Sequence, residues 1–180
     1  MRRVIGSVVL LGMLALTGCG GGDPLPTLPP TPTATPVFAS EEEALAAAEA
    51  AYAAYSEVSD LIAAEGGSDP DRLAPYVTAE QLDNERETAE FFRSNKIHAV
   101  GRATTTKVVL QQYSEVAGGA EIVAYVCVDV SGVAIVDAVG NDVTPVDRPE
   151  IASLEVLFVG EAADQLLIAS SEQWSDTSFC

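Results

Sequence analysis

The hydrophobic period of this chain changes once, near residue 96, and that change restricts its folding more than any other feature. Before it, apolar residues recur at helical spacing. Ser40 heads a capping box with Glu43, and Leu45, Ala48, Tyr52, Tyr55, Val58 and Ile62 follow one face until Gly66-Gly67 stops the run. The acids Glu41 to Glu43 suit the positive end of that helix dipole and need no further role. Asp69-Pro70 opens a short helix or turn carrying Leu73 and Tyr76, and Thr78 with Gln81 forms a second capping box, starting a helix through Leu82, Ala89 and Phe92 toward Asn95. From Ile97 onward the period is two and β-branched residues dominate, so strands are expected at 104–113, 121–130, 151–159 and 165–175, with 133–138 as a fifth candidate. Gly118-Gly119 suits a hairpin turn, and Gly140-Asn141-Asp142 with Pro145 and Pro149 marks a longer excursion. Helices first and strands after predict an α+β domain with helices layered on one face of an antiparallel sheet.

The N-terminal forty residues do not belong to that pattern. Arg2 and Arg3 precede the apolar stretch Val4 to Leu16, the layout of a secretory signal. As a helix this stretch rises only about 20 Å, short of the roughly 30 Å hydrocarbon core, so it is not expected to remain as a span. It closes on Leu16-Thr17-Gly18-Cys19, which resembles the lipobox of bacterial lipoproteins. The resemblance implies cleavage after residue 18 and lipidation of Cys19, with two or three acyl chains giving a stable anchor on the outer face of the membrane. Residues 19–39 hold the anchor cysteine, then Pro24, Pro26, Pro29, Pro30, Pro32 and Pro36 among Thr and Gly, with no apolar face. This reads as an extended linker of roughly 60 Å reach. The folded domain is expected at 40–180.

Charge narrows the partners. Loss of residues 1–18 leaves seven basic residues against 27 acidic ones, a net charge of −20. Such a surface repels phosphate backbones, which excludes nucleic acid as a partner. Cys127 and Cys180 remain after the anchor is set aside, without CxxC or Cys/His spacing. In an oxidising compartment they are read as a disulfide, with two buried free thiols as the alternative. The bridge would pin the tail across the sheet face that bears Tyr125 and Asp129.

The order of elements resembles the nuclear transport factor two-like (cystatin-related) superfamily, and in particular secreted, lipid-anchored members from high-GC bacteria. The residues carrying the likeness are Leu45 to Gly67, Asp69 to Leu73, Pro75 to Thr78, and the strand Val123 to Cys127. It implies one long and two shorter helices on a curved, cone-like antiparallel sheet of four to six strands, with a single-helix cystatin layout as the nearest alternative. Enzymes of that superfamily pair an acid with a histidine inside the cone, and no position here matches that pair.

The residues offer little chemistry. The Gly20 to Gly22 cluster lies in the linker without a Lys, so nucleotide binding is unsupported, and HExxH, EF-hand and GxSxG patterns are missing from the sequence. No catalytic residue, cofactor or metal site is assigned. His98, the sole histidine, lies at an element boundary and suits a surface or capping role better than catalysis. Alternation puts Asp129 on the face of Val123, Tyr125 and Cys127. Facing inward it would be an acid with a raised pKa; at a strand end it would pair with Arg102, Lys107 or solvent. Glu172 and Trp174, placed by alternation on one face with Ile168, complete a candidate pocket of Tyr125, Asp129, Glu172 and Trp174. The leading expectation is a non-enzymatic binding or accessory module, anchored by lipid on Cys19 and contacting an envelope protein or small ligand. The alternatives are a small-molecule isomerase, cyclase or hydrolase using the cone, and a carrier of an apolar envelope ligand.

Overall fold

A computed structural model describes residues 35–175 and 178–180. The expected signal segment, Cys19 and most of the expected linker lie outside the described residues.

Helix α1 spans Glu41–Ala64, a single 3-10 turn Pro70–Leu73, and helix α2 Ala79–Asn95. Six strands follow: β1 Ile97–Val100, β2 Thr104–Val116, β3 Gly119–Asp129, β4 Ala134–Asp137, β5 Ile151–Gly160 and β6 Leu167–Gln173. The expected α+β layering is present, with helices on one face of an antiparallel sheet ordered β2-β3-β5-β6, and β1 and β4 forming a separate two-stranded sheet. Extra residues at Thr106 and Gln111 in β2 and at Ala169 in β6 break the register, and bulges of this kind bend and twist a sheet.

Local chemistry accounts for the helix ends. Ser40 Oγ accepts from the Glu43 N–H at 3.2 Å, while the Glu43 carboxylate reaches back to the Ala39 N–H at 2.8 Å. At the other end the Gly66 N–H donates to Ala63 O and the Gly67 N–H to Ile62 O, a Schellman closure with both glycines at positive φ. Gly67 has a second reason to lack a side chain: a Cβ there would stand 2.1 Å from Ala89 O on α2. The first of the two expected shorter helices is only the 3-10 turn, since Asp69 enters it in the left-handed region and Pro75 follows at once. Beyond it, Thr78 N–H donates to Ile168 O and Ile168 N–H to Tyr76 O, so this connection covers part of the β6 edge.

The core lies between helices and sheet. Even-numbered residues of β3 (Ala120, Ile122, Ala124, Val126) face Ala44, Ala48 and Tyr52 of α1 together with Leu73, Val77, Leu82, Val156, Phe158 and Ile168, all buried. Phe38, read from sequence as linker, belongs to this core at 2% exposure, edge-on to Tyr113 with ring centroids 5.6 Å apart. Its N–H donates to the Tyr113 hydroxyl, and the Val37 N–H to Glu115 Oε1. The packed domain therefore begins upstream of Ser40. Two β placements also differ from the sequence reading. Residues 97–100 form a strand because β4 returns to pair with them, and the Ala169 bulge puts Ile168 on the helix-facing side while Glu172 points to the other face.

Candidate functional site

The outer face of the sheet, away from the helices, carries most of the residues singled out by sequence. Antiparallel register aligns Val109, Tyr125, Glu155 and Glu172 in one row across β2, β3, β5 and β6, and Lys107, Cys127 and Ser153 in the next. Trp174, just past β6, donates its backbone N–H to Ser153 O at 2.8 Å. Its ring stacks on Tyr125 with centroids 4.8 Å apart, and Phe179 stacks on Tyr125 at the same distance. Tyr125 is thus the middle ring of three.

The bridge expected between Cys127 and Cys180 is present, with Cα atoms 5.6 Å apart, inside disulfide reach. Closing a span of 53 residues stabilises the fold by about 4 kcal/mol in the chain-entropy treatment. Cys127 is fully buried, Cys180 is exposed, and Ser153, at 2% exposure, has its Oγ 3.2 Å from the Cys180 sulfur. Lys107 Nζ donates to the Phe179 carbonyl at 2.6 Å.

Of the four candidate pocket residues, the structure brings Tyr125 and Trp174 into contact. Glu172 is the register neighbour of Glu155 and lies two strands from Tyr125. Asp129 stands apart, at the end of β3 opposite Ile151. Its carboxylate accepts from the Ser131 hydroxyl at 2.6 Å and the Ser131 N–H at 2.9 Å, and these bonds hold its pKa below the usual value. Of the two readings left open, the strand-end aspartate is the one found and the raised inward acid is not; its bonded partner is Ser131 in place of Arg102 or Lys107. Arg102 instead faces Asp60, whose pKa is raised by burial against the opposing pull of that guanidinium and of a backbone bond from Ala103. His98 sits in β1 opposite Val136, half-buried, in the wall of an open groove of ≈ 440 Å³ with Arg93, Lys96 and Phe92.

A polar cluster between the helices was not anticipated. Tyr55 donates to Glu85 Oε1 at 2.7 Å, Gln81 Nε2 donates to the same oxygen at 2.9 Å, and Gln81 Oε1 accepts from Asn84 at 3.2 Å. Gln81 is 5% exposed. Burial pushes the Tyr52 phenol up to about 12; Tyr55 is raised as well, by burial first and then by the charge and hydrogen bond of Glu85. Both phenols are therefore neutral, and the cluster acts as a satisfied polar seam. A void of ≈ 40 Å³ beside Glu85, Ser59 and Leu73 has room for about one or two waters. The sequence signal for it was Gln81 and Glu85 at helical spacing on the buried side of α2.

Larger open grooves lie at the margins, one of ≈ 520 Å³ between the alanine face of α1 and Tyr76 and Leu167, another of ≈ 410 Å³ at the β2–β3 and β5–β6 turns. Among the described residues no group of three or more His, Cys, Asp or Glu is arranged to hold a metal, and no helix is long and apolar enough to cross a membrane.

No family model and no curated protein matches this chain. Among solved structures, the intermembrane space region of the chloroplast protein ARC6 is similar in fold, with a TM-score of 0.54 at 12% identity over 73% of this chain and 97% of that one.

Proposed function

We propose that this chain is a lipid-anchored extracytoplasmic protein whose domain serves as a non-enzymatic binding or accessory module at the cell envelope. The anchor half of this reading rests on Leu16-Thr17-Gly18-Cys19 and the proline-rich spacer after it. The module half rests on one observation above all: the region between helices and sheet is filled. Phe38, Tyr52, Leu73, Ile122, Phe158 and Ile168 occupy it, and the polar groups nearby bond to one another rather than converging on an open space. A binding enzyme needs a concave site of several hundred Å³ with unpaired polar groups directed into it. Contacts are then made by the exterior, presented away from the bilayer by the spacer.

Two experiments test the two halves. Cys19→Ala should abolish lipid labelling and move the protein out of the membrane fraction, and lipid labelling that persists would refute the anchor. A fragment screen read by NMR shifts should perturb exterior residues and leave Tyr52, Tyr55 and Glu85 unmoved. Fragments that enter beside Tyr55 and Glu85 would favour the isomerase, cyclase or hydrolase alternative, and an alkyl probe that opens the core would favour the carrier.

A further inference from the structure

Past β6, the described residues Trp174, Phe179 and Cys180 touch the outer face of the sheet at successive strands. The tail leaves β6 at Trp174, is joined to β3 through Cys180, and reaches β2 through the bond from Lys107 to the Phe179 carbonyl. Its fastenings are unequal. The ring stack of Trp174, Tyr125 and Phe179 and the exposed Lys107 bond are reversible contacts at a surface, whereas the link from Cys180 to Cys127 is covalent. The core lies on the opposite side of the sheet from them. Ile122, Ala124 and Val126, on the same strand as Tyr125 and Cys127, are fully buried against the other face.

We propose that this tail is a strap released by reduction, with the bond from Cys127 to Cys180 as its latch and the outer face around Tyr125 as the surface it uncovers. The latch is asymmetric: residue Cys180 is exposed, whereas Cys127 and Ser153, whose Oγ lies 3.2 Å from the Cys180 sulfur, are buried, so a thiolate from solvent approaches the bond from the Cys180 side. In the opening step, one thiolate of an external dithiol attacks Cys180 Sγ and forms a mixed disulfide. The electron pair of the old bond passes to Cys127 Sγ, which takes up a proton from solvent. The second thiol of the reductant then displaces Cys180 as its thiol, leaving the reductant as a disulfide and the protein with two thiols. Lys107, the register neighbour of Cys127 on the same face, supplies a positive charge that favours departure of the Cys127 thiolate. Freed of the bond, Phe179 is held against Tyr125 by non-covalent contacts, the ring stack and the Lys107 bond to its carbonyl among them.

Trp174 is the only tryptophan in the chain, so its fluorescence reports the strap directly. The test uses the full-length oxidised protein titrated with dithiothreitol, following tryptophan emission and its quenching by acrylamide, thiol labelling by mass, far-ultraviolet circular dichroism, and trimming by chymotrypsin. The expected result is labelling of Cys127 and Cys180 together with a red shift of emission, greater quenching and loss of residues after Trp174, while the dichroism is unchanged. Reoxidation should restore the original emission. Cys180→Ser should show the reduced emission without reductant, and Tyr125→Leu should shift emission while the bond remains intact. Three outcomes overturn the proposal: a bond that dithiothreitol does not reduce in the folded protein, full reduction with unchanged emission and quenching, or loss of dichroism in step with reduction. Failure of Cys180→Ser to fold counts with the last, since the bond would then hold the whole domain.

Discussion

The two faces of strand β3 are built from alternate residues of one stretch, yet they are held in different ways. On the helix side, Ile122, Ala124 and Val126 meet side chains from α1, β5 and β6, and no residue there is exposed. On the other side, Val123, Tyr125 and Asp129 are half-buried, and Tyr125 stacks with Trp174 and with Phe179, next to the Cys127–Cys180 bond. The first face derives its stability from many apolar partners, so losing any one large side chain leaves a cavity. The second derives its order from connectivity. A face of the first kind defines the fold, and a face of the second kind can change its cover without loss of the fold.

That contrast can be broken in four places, in descending order of effect. Phe158→Ala on the helix side should cost about 3–5 kcal/mol, the range for truncating a buried aromatic ring. Chemical denaturation measures it, and a cost below that of Trp174→Ala on the outer face would reverse the ranking of the two faces. Replacing both Cys127 and Cys180 with Ser should cost up to about 4 kcal/mol, mostly through the unfolded chain, so the denaturation midpoint should fall while native dichroism persists. Ser40→Ala should cost about 1 kcal/mol, because the Glu43 N–H loses its acceptor, and thermal melts resolve a change of that size.

The fourth effect appears only in alkali. The Tyr52 phenol ionises at about 12 in the folded protein and near 10 in an unfolded chain, so it binds its proton more tightly when folded. Its stabilising contribution is complete below pH 10 and is lost as pH rises from 10 toward 12; Tyr55, also raised, continues the loss beyond that. Tyrosinate absorbance should show Tyr52 and Tyr55 ionising together with unfolding. Tyr52→Phe should remove part of the pH dependence, and an unchanged alkaline profile in that variant would show that the phenol is not buried as described.

What was legible in the sequence was chemistry confined to neighbours. Ser40, Thr78 and Gly66-Gly67 bound their helices because a cap is a matter of three or four residues, and period two identified the long strands. The bridge was legible because, with Cys19 read as an anchor, two cysteines were left for each other. The strand-end place of Asp129 was legible, but its partner was not named although it lies two residues on, where Asp-Val-Ser permits the carboxylate to turn back onto Ser131. Phe38 was hidden because Pro36 and the preceding prolines made the window read as linker, and only contact with Tyr113, 75 residues away, makes it core. Strand β1 depends on β4 across an intervening hairpin, and the Ala169 bulge that separates the facing of Ile168 from that of Glu172 arises from pairing with β5. The cluster of Tyr55 and Glu85 joins residues 30 apart, and one helix pattern cannot show what the other helix brings to it.

The burial of Phe38 also bears on mechanics. A pull applied through the chain upstream of Thr35 would be delivered to the Phe38–Tyr113 pair and the Val37–Glu115 bond, on β2, before it reached the first turn of α1. Because β2 lies at the margin of its sheet, such a load would strain one outer strand while β3, β5 and β6 remained paired with one another. Extraction of one aromatic ring would thus be the first yield point of the domain under tension, and Phe38→Ala should lower the force of that first step while leaving the later ones in place.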